Sequence, residues 1–499
     1  MPNHPDTAIV ILAAGKGTRM RSELAKVLHR AGGRTLIEHV IRACLPLKAT
    51  QVLVVVGHQA DEVGAVAENL GAQVVLQKPQ HGTGHAMQVA RRAIRKSAKV
   101  ALVVPGDAPL LRSESLVALL DAHRRGEAAA TVLSAELEDP TDYGRIVRDS
   151  EGRVEAIVEE KAATPEQRSI REVNSSIYCF TLEKLWPALA ALRPNNAHRE
   201  LYLTDAIALL RQRNERVLAQ VAGDAEEILG CNTRASLADV DRILRARKAA
   251  ELMEAGATIY LPETVVIDPD VTVGPDTVIE PGVQLLSNTR IGARCTIQTG
   301  SVLHDVRVDD DVTVGAHCVA TASRLHAKST IGPFSRLRPG ADIRSGAHIG
   351  NFVEVKKSVV HEGAKAMHLT YLGDASVGRG SNIGAGTITC NYDGASKYQT
   401  SIGERVFIGS DTALVAPIRV GDGAYVAAGS TLTENVPAEA LAVARGRQVN
   451  KPDWARKRRL EVKREEKNSR RSKRKPRRKA AKPRAKTKHR VRSRTRKRR

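Results

Sequence analysis

The first half of the chain alternates short apolar runs with stretches of helical spacing. The apolar runs lie at residues 8–12, 52–56, 74–76 and 100–104. Between them, stretches such as residues 36–44 and 86–94 place apolar side chains on one helical face. Alternation of strands and helices is typical of βαβ units. The pattern therefore predicts a largely parallel, three-layer α/β sheet of the Rossmann-like kind.

Residues 236–254 are rich in Leu, Ala, Arg and Asp and contain no Gly or Pro. This composition predicts a helix that connects the two halves of the chain. The chain is thereby divided into an α/β domain at residues 1–232, a helical linker at 233–256, a repeat domain at 257–446 and a tail at 447–499.

Beyond the predicted helix, apolar residues recur at every sixth position. The first run is Ile267, Val273, Ile279, Leu285, Ile291, Ile297 and Leu303. Four residues after the first six of them stand small or β-branched side chains: Val271, Thr277, Val283, Thr289, Cys295 and Ser301. The period slips by one residue twice and continues to Leu432. A period of six predicts a hexapeptide parallel β-helix, whose coils bury their apolar faces by stacking.

The six-residue period is interrupted at residues 359–372 and again at residues 389–401. Insertions in repeat proteins become surface loops, and loops carry a large share of functional residues. We therefore predict that both segments are loops and that a functional site of the second half lies there.

The charge of the chain is concentrated at its carboxyl end. Residues 455–499 contain 26 Lys and Arg against three Asp and Glu, whereas the rest of the chain contains 52 of each. Because the tail has few large apolar side chains, we predict that residues 447–499 are disordered. Three roles stay open for the tail: a solvated segment without a partner, a weak binder of polyanions such as RNA or DNA, or a contact with anionic lipid.

The cysteines and the N-terminus indicate a reducing compartment. The six cysteines are scattered without CxxC or metal-ligand spacing, which favours buried thiols. No basic segment precedes an apolar stretch at the N-terminus, and the apolar run at residues 8–14 is too short to span a membrane. We predict a cytoplasmic protein without a transmembrane segment.

A glycine-rich turn, LAAGKGTRM at residues 12–20, follows the first predicted strand. It lacks the GK[ST] of a Walker loop and the third glycine of a dinucleotide fingerprint. A turn of this kind exposes backbone N–H groups to phosphate oxygens, and Lys16, Arg19 and Lys26 add positive charge. On these residues alone, an ordinary surface turn is the more frequent explanation.

Further segments place the turn in a larger pattern. They are QHGTGHA at residues 80–86, PGDAPLL around Asp107, Tyr143-Gly144-Arg145, Glu159, Asn174 and Gly230-x-Asn232. Together with LAAGKGTRM and Lys26, they resemble the sugar-1-phosphate nucleotidyltransferases over most of residues 8–232. Without this resemblance, Asp107 would be better explained as a turn aspartate before Pro109.

The resemblance implies a transfer from UTP with Mg²⁺, a hard cation that prefers oxygen ligands. Asp107 and Asn232 would hold the metal, and Arg19 and Lys26 would be the catalytic phosphate clamp. The implied nucleotide and sugar contacts are Leu12, Ala13, Gly15, Gln77, Gly82, Thr83, Gly144, Glu159, Asn174 and Asn232. The chain departs from the family pattern at Ala25 (commonly proline), Pro105 (often tyrosine) and Asn174-Ser175-Ser176 (more usually Asn-Thr-Gly).

The second half carries its own set of segments: RLRPGA at 336–341, NFVEVKK at 351–357, AMHLTYLGDA at 366–375, NIGAGTITCNYDG at 382–394, and Lys397. They closely resemble the bifunctional UDP-N-acetylglucosamine pyrophosphorylase and glucosamine-1-phosphate N-acetyltransferase family. The resemblance now extends over residues 8–446 in the family's domain order. It implies a left-handed β-helix that associates as a homotrimer.

The family resemblance also implies the residues of the acetyl site. His368 would be the general base, although on its own it is better explained as a structural histidine in a loop. The implied glucosamine-phosphate contacts are Arg338, Lys356, Tyr371, Asn382 and Lys397. The implied acetyl-CoA contacts are Ala385, Asn391, Tyr392, Ser410, Ala428 and Arg445.

The sequence thus predicts a bifunctional enzyme of UDP-N-acetylglucosamine synthesis. The C-terminal domain would acetylate glucosamine-1-phosphate with acetyl-CoA, and the N-terminal domain would transfer uridylyl from UTP, feeding peptidoglycan and lipopolysaccharide precursors. One alternative is a monofunctional sugar-1-phosphate uridylyltransferase with a scaffolding β-helix. Another is a non-catalytic regulator or nucleic-acid-binding protein that uses its basic tail.

Overall fold

The computed structural model describes residues 3–194 and 199–473. It divides into two compact units, Met1–Ala444 and Arg445–Arg499. Within the described part of the chain, no helix combines the length and the apolar character that a membrane span requires.

The first 254 residues form an α/β structure. Its elements are β1 (Thr7–Ala13), β2 (Arg30–Ala31), β3 (Arg34–Thr35), α1 (Leu36–Cys44), β4 (Gln51–Val56), α2 (Ala60–Asn69), β5 (Gln73–Leu76), α3 (Thr83–Ala90), β6 (Val100–Pro105), α4 (Ser113–Arg125), β7 (Ala130–Glu136), β8 (Arg145–Arg148), β9 (Val154–Val158), α5 (Pro165–Arg168), β10 (Glu172–Thr181), α6 (Leu182–Ala191), α7 (Asp205–Gln212), β11 (Val217–Val221) and α8 (Arg234–Glu254).

The main sheet has the strand order β11-β7-β10-β6-β1-β4-β5. β1 runs parallel to β4 and β6, β4 runs parallel to β5, and β7 runs parallel to β11. β10 lies antiparallel between β6 and β7, and the β8–β9 hairpin is attached to it. The predicted fold class is confirmed, with one antiparallel strand in the main sheet. Apolar side chains cover both faces of the sheet, which is why its central strands are nearly continuous apolar runs.

The helix predicted at residues 236–254 is present as α8, at Arg234–Glu254. Thr233 and Ser236 form a capping box that satisfies backbone N–H groups at its start. The helix packs its apolar side onto the body of the molecule through Val240, Ile243, Ala249 and Leu252.

The second half is built of short strands with tight corners. They are β12 (Thr258–Ile259), β13 (Val266–Ile267), β14 (Thr272–Val273), β15 (Val278–Ile279), β16 (Gln284–Leu286), β17 (Arg290–Ile291), β18 (Thr296–Ile297), β19 (Val302–His304), β20 (Arg307–Val308), β21 (Thr313–Val314), β22 (Val319–Thr321), β23 (Arg324–Leu325), β24 (Thr330–Ile331), β25 (Arg336–Leu337), β26 (Asp342–Ile343), β27 (His348–Asn351), β28 (Glu354–Lys356), β29 (Val359–Val360), β30 (Lys365–His368), β31 (Tyr371–Gly373), β32 (Ala375–Val377), β33 (Asn382–Ile383), β34 (Ile388–Cys390), β35 (Thr400–Ile402), β36 (Phe407–Ile408), β37 (Ala413–Val415), β38 (Ile418–Val420), β39 (Tyr425–Val426), β40 (Thr431–Leu432) and β41 (Leu441–Ala442).

These strands form three parallel sheets, each taking every third strand from β12, β13 or β14 onward, except that β41 follows β39 at the end of the first sheet. Three strands therefore make one coil, as the six-residue period predicts, and the repeated apolar residues fill the interior. The small residues are buried as well, and those with a hydroxyl group bond neighbouring coils. The Thr277 hydroxyl, for example, donates to the Gly292 carbonyl at 2.8 Å and accepts from the Cys295 N–H at 3.0 Å.

The prediction of a loop at residues 359–372 is wrong. The segment forms β29, β30 and the start of β31, which pair in register with the coils before and after them. Two features hid the repeat. The period shortens to five between Val355 and Val360, and the inward position of β30 is occupied by the small residue Ala366.

The prediction of an insertion at residues 389–401 is confirmed in position. β34 pairs with β37 through Ile388 and Ala413, so this coil contains several more residues than its neighbours. The additional chain forms a loop between β34 and β35. It is closed by a bond from the Tyr398 N–H to the Asn391 carbonyl at 2.9 Å.

The prediction of disorder from residue 447 onward is wrong for residues 454–473, which form the helix α9 (Trp454–Lys473). The segment lacks Gly and Pro, and its Arg, Lys, Glu and Leu residues have high helix propensity. Arg458 and Glu461 form an ion pair of 3.3 Å along the helix. Helix formation here needs no apolar core, whereas the prediction considered only the missing core. Residues 474–499 lie outside the described residues.

Candidate active sites

The first candidate site, the nucleotide site, lies at the carboxyl end of β1, where the glycine-rich turn begins. Gly17 has a φ of 61°, a conformation that glycine adopts without strain. A Cβ atom at Gly17 would lie 2.5 Å from the Cβ of Lys26. Glycine at this position therefore allows the Lys26 side chain to lie directly against the turn.

Lys26 brings together two residues that are distant in the sequence. Its ammonium group contacts the Asp107 carboxylate and donates to the Asn232 amide oxygen at 3.0 Å. Asp107 follows the end of β6, and Asn232 lies just before α8. The two segments are also joined by a bond from the Cys231 N–H to the Asp107 carbonyl at 3.0 Å.

A carboxylate oxygen and an amide oxygen thus converge on one positive centre. This donor set is the one that a hard divalent cation prefers, so the residues present fit Mg²⁺. Among the described residues, no group of three or more His, Cys, Asp or Glu side chains is arranged to hold a metal ion. A metal at this point would therefore be held by few protein ligands.

Arg19 lies at the exposed edge of the same turn. Its guanidinium is 3.9 Å from the Asp142 carboxylate, and the two side chains are 57% and 74% exposed. A pair this long and this exposed contributes little stability. Little free energy is therefore lost when Arg19 leaves Asp142 and binds a phosphate group instead.

Gln77, Gly82 and Thr83 lie together next to this turn. The buried Gln77 amide donates to the Gly82 carbonyl at 3.0 Å and contacts the His85 ring at 3.0 Å. Because the amide nitrogen only donates, the His85 ring nitrogen accepts this bond. Burial, with a smaller effect from His81, lowers the pKa of His85. The Thr83 hydroxyl accepts from the Leu203 N–H at 2.9 Å.

Gly144, Glu159 and Asn174 form a polar wall at the β10 bulge. The Asn174 N–H donates to the Gly144 carbonyl at 2.8 Å, and its amide donates to the Tyr178 hydroxyl at 2.8 Å. Burial raises the pKa of Glu159, and a hydrogen bond from Thr204 at 3.2 Å opposes this shift. Thr204 is a member of this wall that the sequence did not indicate.

Leu12, Ala13 and Gly15 lie at the end of β1 and in the turn that follows. Leu12 pairs with Pro105 and Ala13 with Val56 in the sheet. A Cβ atom added at Gly15 would meet nothing within 4 Å, so the backbone there faces open space. These positions are thus available to a nucleotide placed over the carboxyl edge of the sheet.

Replacing Gly17 with alanine is expected to lower uridylyl transfer by about 10- to 100-fold, because the new methyl group displaces Lys26. Gly152→Ala is the matched control, since Gly152 also has a positive φ of 77° but has nothing within 4 Å of its Cβ position. The rates of the two variants with UTP and sugar phosphate measure the effect. Equal loss in both variants would show that backbone strain, rather than Lys26, is responsible.

Arg247 is a further residue that the sequence did not indicate. It extends from α8 and donates to the Leu110 carbonyl at 2.8 Å and to the Asp224 carboxylate at 3.1 Å. Leu110 lies in the loop that carries Asp107, while α8 begins directly after Asn232. One helix therefore holds both oxygen donors in place.

Arg247→Met is expected to lower the kcat of uridylyl transfer by about tenfold with a smaller change in KM, because the Asp107 loop loses its support. The exposed Arg242 on the same helix provides the control variant Arg242→Met. Steady-state kinetics at several Mg²⁺ concentrations are the measurement. A variant with unchanged kcat and unchanged Mg²⁺ dependence would rule out the positioning role.

The second candidate site, the acetyl site, begins at the end of β30. His368 pairs in register with Asn351 of the preceding coil, and its Nδ1 lies 2.8 Å from the Asn351 amide oxygen. Because this oxygen only accepts hydrogen bonds, Nδ1 carries the proton and Nε2 remains as an exposed acceptor. Asn351 thus fixes the tautomer that a general base needs.

Ala385, Ser410 and Ala428 follow His368 on successive coils. Lys365, Asn382, Phe407 and Tyr425 pair in register along one sheet. On each coil, the residue three positions later is His368, Ala385, Ser410 or Ala428, respectively. The Asp411 and Gly429 N–H groups donate to the Ala385 and Ser410 carbonyls at 2.7 and 2.8 Å. Small side chains therefore line the corner of the β-helix beyond His368. Asn382 lies in the neighbouring column of the same sheet.

Lys356 and Lys397 lie close enough for their ammonium groups to interact. Lys356 lowers the pKa of Lys397, and Asp374 and Tyr371 act in the opposite direction. Arg338 is near the same strand and forms a 2.9 Å ion pair with Glu354. Two ammonium groups in contact are stabilised by an anion placed between them, so this cluster suits a phosphate group.

The insertion loop covers the start of β32. The Asn391 amide donates to the Asp374 carboxylate, and a Cβ atom at Gly373 would clash with the Tyr371 hydroxyl. Glycine at 373 thus permits the Tyr371 ring to lie across the strand. Tyr392 is 59% exposed near the start of the loop, where it is paired with Lys397.

Comparison with known proteins gives matches to both halves. A family of MobA-like NTP transferase domains matches residues 9–256, a family of bacterial transferase hexapeptides (six repeats) matches residues 270–304, and the hexapeptide repeat of succinyl-transferase matches residues 399–434. The bifunctional protein GlmU of Koribacter versatilis is 50% identical over 463 residues, covering 92% of this chain and 98% of that protein. GlmU of Thermus thermophilus is 49% identical over 448 residues, covering 90% of this chain and 98% of that protein.

The chain belongs to the GlmU family. The predicted family, fold class and bifunctional transferase class are therefore confirmed. A solved structure entitled UDP-glucose pyrophosphorylase complexed with UDP-glucose covers 48% of this chain at 15% identity and a TM-score of 0.40, which is too low to support an argument.

In this GlmU-family chain, the two candidate sites lie in different places relative to the three matched regions. The nucleotide site lies within the NTP transferase match, and the acetyl site lies between the two hexapeptide matches, except for Ser410 and Ala428, which lie within the second one. Arg445 belongs to the second structural unit, so its place at the acetyl site stays a prediction. The roles of the individual residues also stay predictions.

Proposed function

We propose that the chain catalyses two consecutive reactions of UDP-N-acetylglucosamine synthesis. The β-helix acetylates glucosamine-1-phosphate with acetyl-CoA, and the α/β domain then transfers uridylyl from UTP to the N-acetylated sugar phosphate. The observation that carries this proposal is the presence of both clusters, Lys26–Asp107–Asn232 and His368–Asn351 with the lysine pair, in one GlmU-family chain. Intact polar groups at both sites argue against a scaffolding β-helix and against a non-catalytic regulator.

In uridylyl transfer, a phosphate oxygen of the sugar phosphate attacks the α-phosphorus of UTP and pyrophosphate leaves. Negative charge accumulates on the phosphate oxygens, so the site must neutralise it and hold the groups in line. Lys26 and the exposed Arg19 supply positive charge, and the N–H groups of the glycine turn supply hydrogen bonds. The polar wall of Gly144, Glu159 and Asn174 would orient the sugar.

Asp107 and Asn232 would hold Mg²⁺. When bound, this ion neutralises phosphate charge and lowers the barrier to displacement of pyrophosphate. Lys26 is bound to the same two oxygens in this structure. It would release them to the metal ion and bind phosphate oxygens instead.

In acetyl transfer, the neutral sugar amine attacks the thioester carbonyl. A C–N bond forms, the C–S bond breaks, and the proton of the amine must be removed. The exposed Nε2 of His368 would accept this proton, while Asn351 holds the ring in the required tautomer. Lys356, Lys397 and Arg338 would hold the phosphate of the sugar, and the small residues beyond His368 would accommodate acetyl-CoA.

An exposed apolar ladder supports the proposed homotrimer. His317 stacks on Phe334, and Phe334 stacks on Phe352, at ring distances of 5.3 and 5.6 Å. Phe352 and Leu369 are 55% and 63% exposed and lie beside Asn351 and His368. Apolar surface at one corner of the β-helix is typical of an interface between subunits. A trimer formed along this corner would place a neighbouring subunit next to the acetyl site.

The six unpaired cysteines support the proposed cytoplasmic location, where thiols stay reduced. The products would serve peptidoglycan and lipopolysaccharide synthesis.

Two assays on the purified chain test the proposal. Glucosamine-1-phosphate and acetyl-CoA should release free CoA thiol, and N-acetylglucosamine-1-phosphate and UTP with Mg²⁺ should release pyrophosphate. Glucosamine-1-phosphate with UTP is the control and should release far less pyrophosphate. Pyrophosphate release without CoA release would leave a monofunctional uridylyltransferase. Failure of both assays in a folded protein would contradict the proposal.

A further inference from the structure

The α9 helix carries a continuous row of positive charge along one side. Residues at intervals of three and four share a helical face. On α9 these positions are occupied by Arg456, Arg459, Lys463, Lys467 and Arg470, all of them exposed. At 1.5 Å per residue, this cationic row is about 21 Å long.

The other sides of α9 carry charges of both signs. Glu461 and Glu465 lie opposite the row, and Glu461 pairs with Arg458 at 3.3 Å. The third carboxylate, Glu466, lies beside the row. Because Lys457, Arg458 and Arg464 lie elsewhere around the helix, the row is its longest line of cations but does not hold all of its positive charge.

We propose that the C-terminal extension, residues 454–499, binds the phosphate backbone of nucleic acid. The cationic row of α9 would be the docking face. Cations three or four residues apart stand about 4.5–6 Å apart along the helix axis, a spacing that suits a chain of phosphates. Arg and Lys are the residues that bind phosphate oxygens most strongly. Residues 474–499 add 16 Lys and Arg and no Asp or Glu.

The same features indicate how the partner is recognised. Residues 455–499 contain no Phe, Trp or Tyr, so they offer no aromatic ring on which a base could stack. The contacts would therefore be made to phosphates rather than to base edges and would not depend on sequence.

An anionic membrane fits this helix less well than a nucleic acid. The exposed apolar side chains of α9, Trp454, Leu460 and Val462, project in different directions around the helix axis. A helix that lies in a membrane interface needs these side chains on one face. The helix offers a line of charge without an apolar face to insert.

The extension is an addition to the two transferase domains rather than a part of them. The remainder of the chain has equal numbers of acidic and basic residues, so the excess charge belongs to the extension alone. The match to the Koribacter relative covers 98% of that protein but only 92% of this chain.

Fluorescence anisotropy with a labelled 24-base-pair RNA duplex tests the proposal. The full chain should bind, and the affinity should fall by about 10³- to 10⁵-fold between 50 and 200 mM salt if six to ten phosphates are contacted. A duplex of unrelated sequence should bind equally well. A chain that ends at Asp453 should lose this binding and keep both transferase activities. Undiminished RNA binding by the shortened chain would overturn the proposal.

A matched pair of variants tests the docking face. One variant replaces Arg456, Arg459, Lys463, Lys467 and Arg470 with Gln. The other replaces Arg490, Arg492, Arg494, Arg496 and Arg498 with Gln, which removes the same charge outside α9. The first variant should lose at least about ten times more affinity, with circular dichroism confirming that the helix remains. Equal losses would overturn the role of the helix face, and binding to phosphatidylserine vesicles without binding to RNA would assign the extension to lipid.

Discussion

Replacing His368 with alanine is expected to lower acetyl transfer by about 10²- to 10⁴-fold while uridylyl transfer keeps its original rate. The reason is that His368 Nε2 is the exposed acceptor left by the bond between Nδ1 and Asn351. Loss of the ring removes the group that takes the proton from the sugar amine. The two rates, measured on the same preparation, give the result directly.

The unaffected uridylyl rate serves as the internal control for folding. His361→Ala is the matched variant, since His361 lies on a neighbouring coil and contacts Ser376 at 3.2 Å. It should leave both rates close to the original. Unchanged acetyl transfer in His368→Ala would refute the assignment of the base, and loss of both activities would point to misfolding.

Replacing Asp107 with asparagine is expected to have the opposite effect, with uridylyl transfer reduced by about 10²- to 10³-fold and acetyl transfer unchanged. The substitution keeps the shape of the side chain but removes the negative charge that faces Lys26 and, by proposal, Mg²⁺. The rate of pyrophosphate release at increasing Mg²⁺ concentration is the measurement. We expect the loss to be recovered only in part at high Mg²⁺.

Asp139→Asn provides the control for this substitution, because Asp139 is exposed and its carboxylate accepts hydrogen bonds from Thr141. It should change neither rate. If Asp107→Asn retained full uridylyl transfer, Asp107 would have to be a turn residue before Pro109, as its local sequence suggests.

Periodicity predicted the parts of the fold in which buried positions recur at a fixed spacing along the sequence. The β-helix is the clearest case, because Ile267, Ile279 and Leu285 are each almost fully buried. In the α/β half, the apolar runs located β1, β4, β5 and β6 but not β7, β10 or β11. β10 contains polar residues such as Asn174 and Ser175 among its apolar ones, but nothing in its sequence indicates that it runs antiparallel to β6.

The two wrong predictions from the sequence have physical explanations. Residues 359–372 seemed to break the repeat because Ala366 is too small to stand out as a core residue, yet it is fully buried. α9 was missed because its stability comes from local propensity and charge spacing rather than from burial.

The candidate sites show what motif resemblance can and cannot provide. Lys26, Asp107 and Asn232 were named from separate motifs, and the structure brings them together. Arg247 was not named, because an arginine inside a helix has no distinctive pattern, and Asn351 was named only as part of the NFVEVKK segment, without a role of its own. Their importance comes from the atoms they contact, which only the folded chain shows.

The most direct test of the bifunctional account is mass spectrometry of the products from one purified preparation. The complete mixture contains glucosamine-1-phosphate, acetyl-CoA, UTP and Mg²⁺, and each component is omitted in turn. The account predicts UDP-N-acetylglucosamine from the complete mixture alone, and N-acetylglucosamine-1-phosphate when UTP is left out. A UDP-sugar formed equally well without acetyl-CoA, or no product from folded protein, would contradict it.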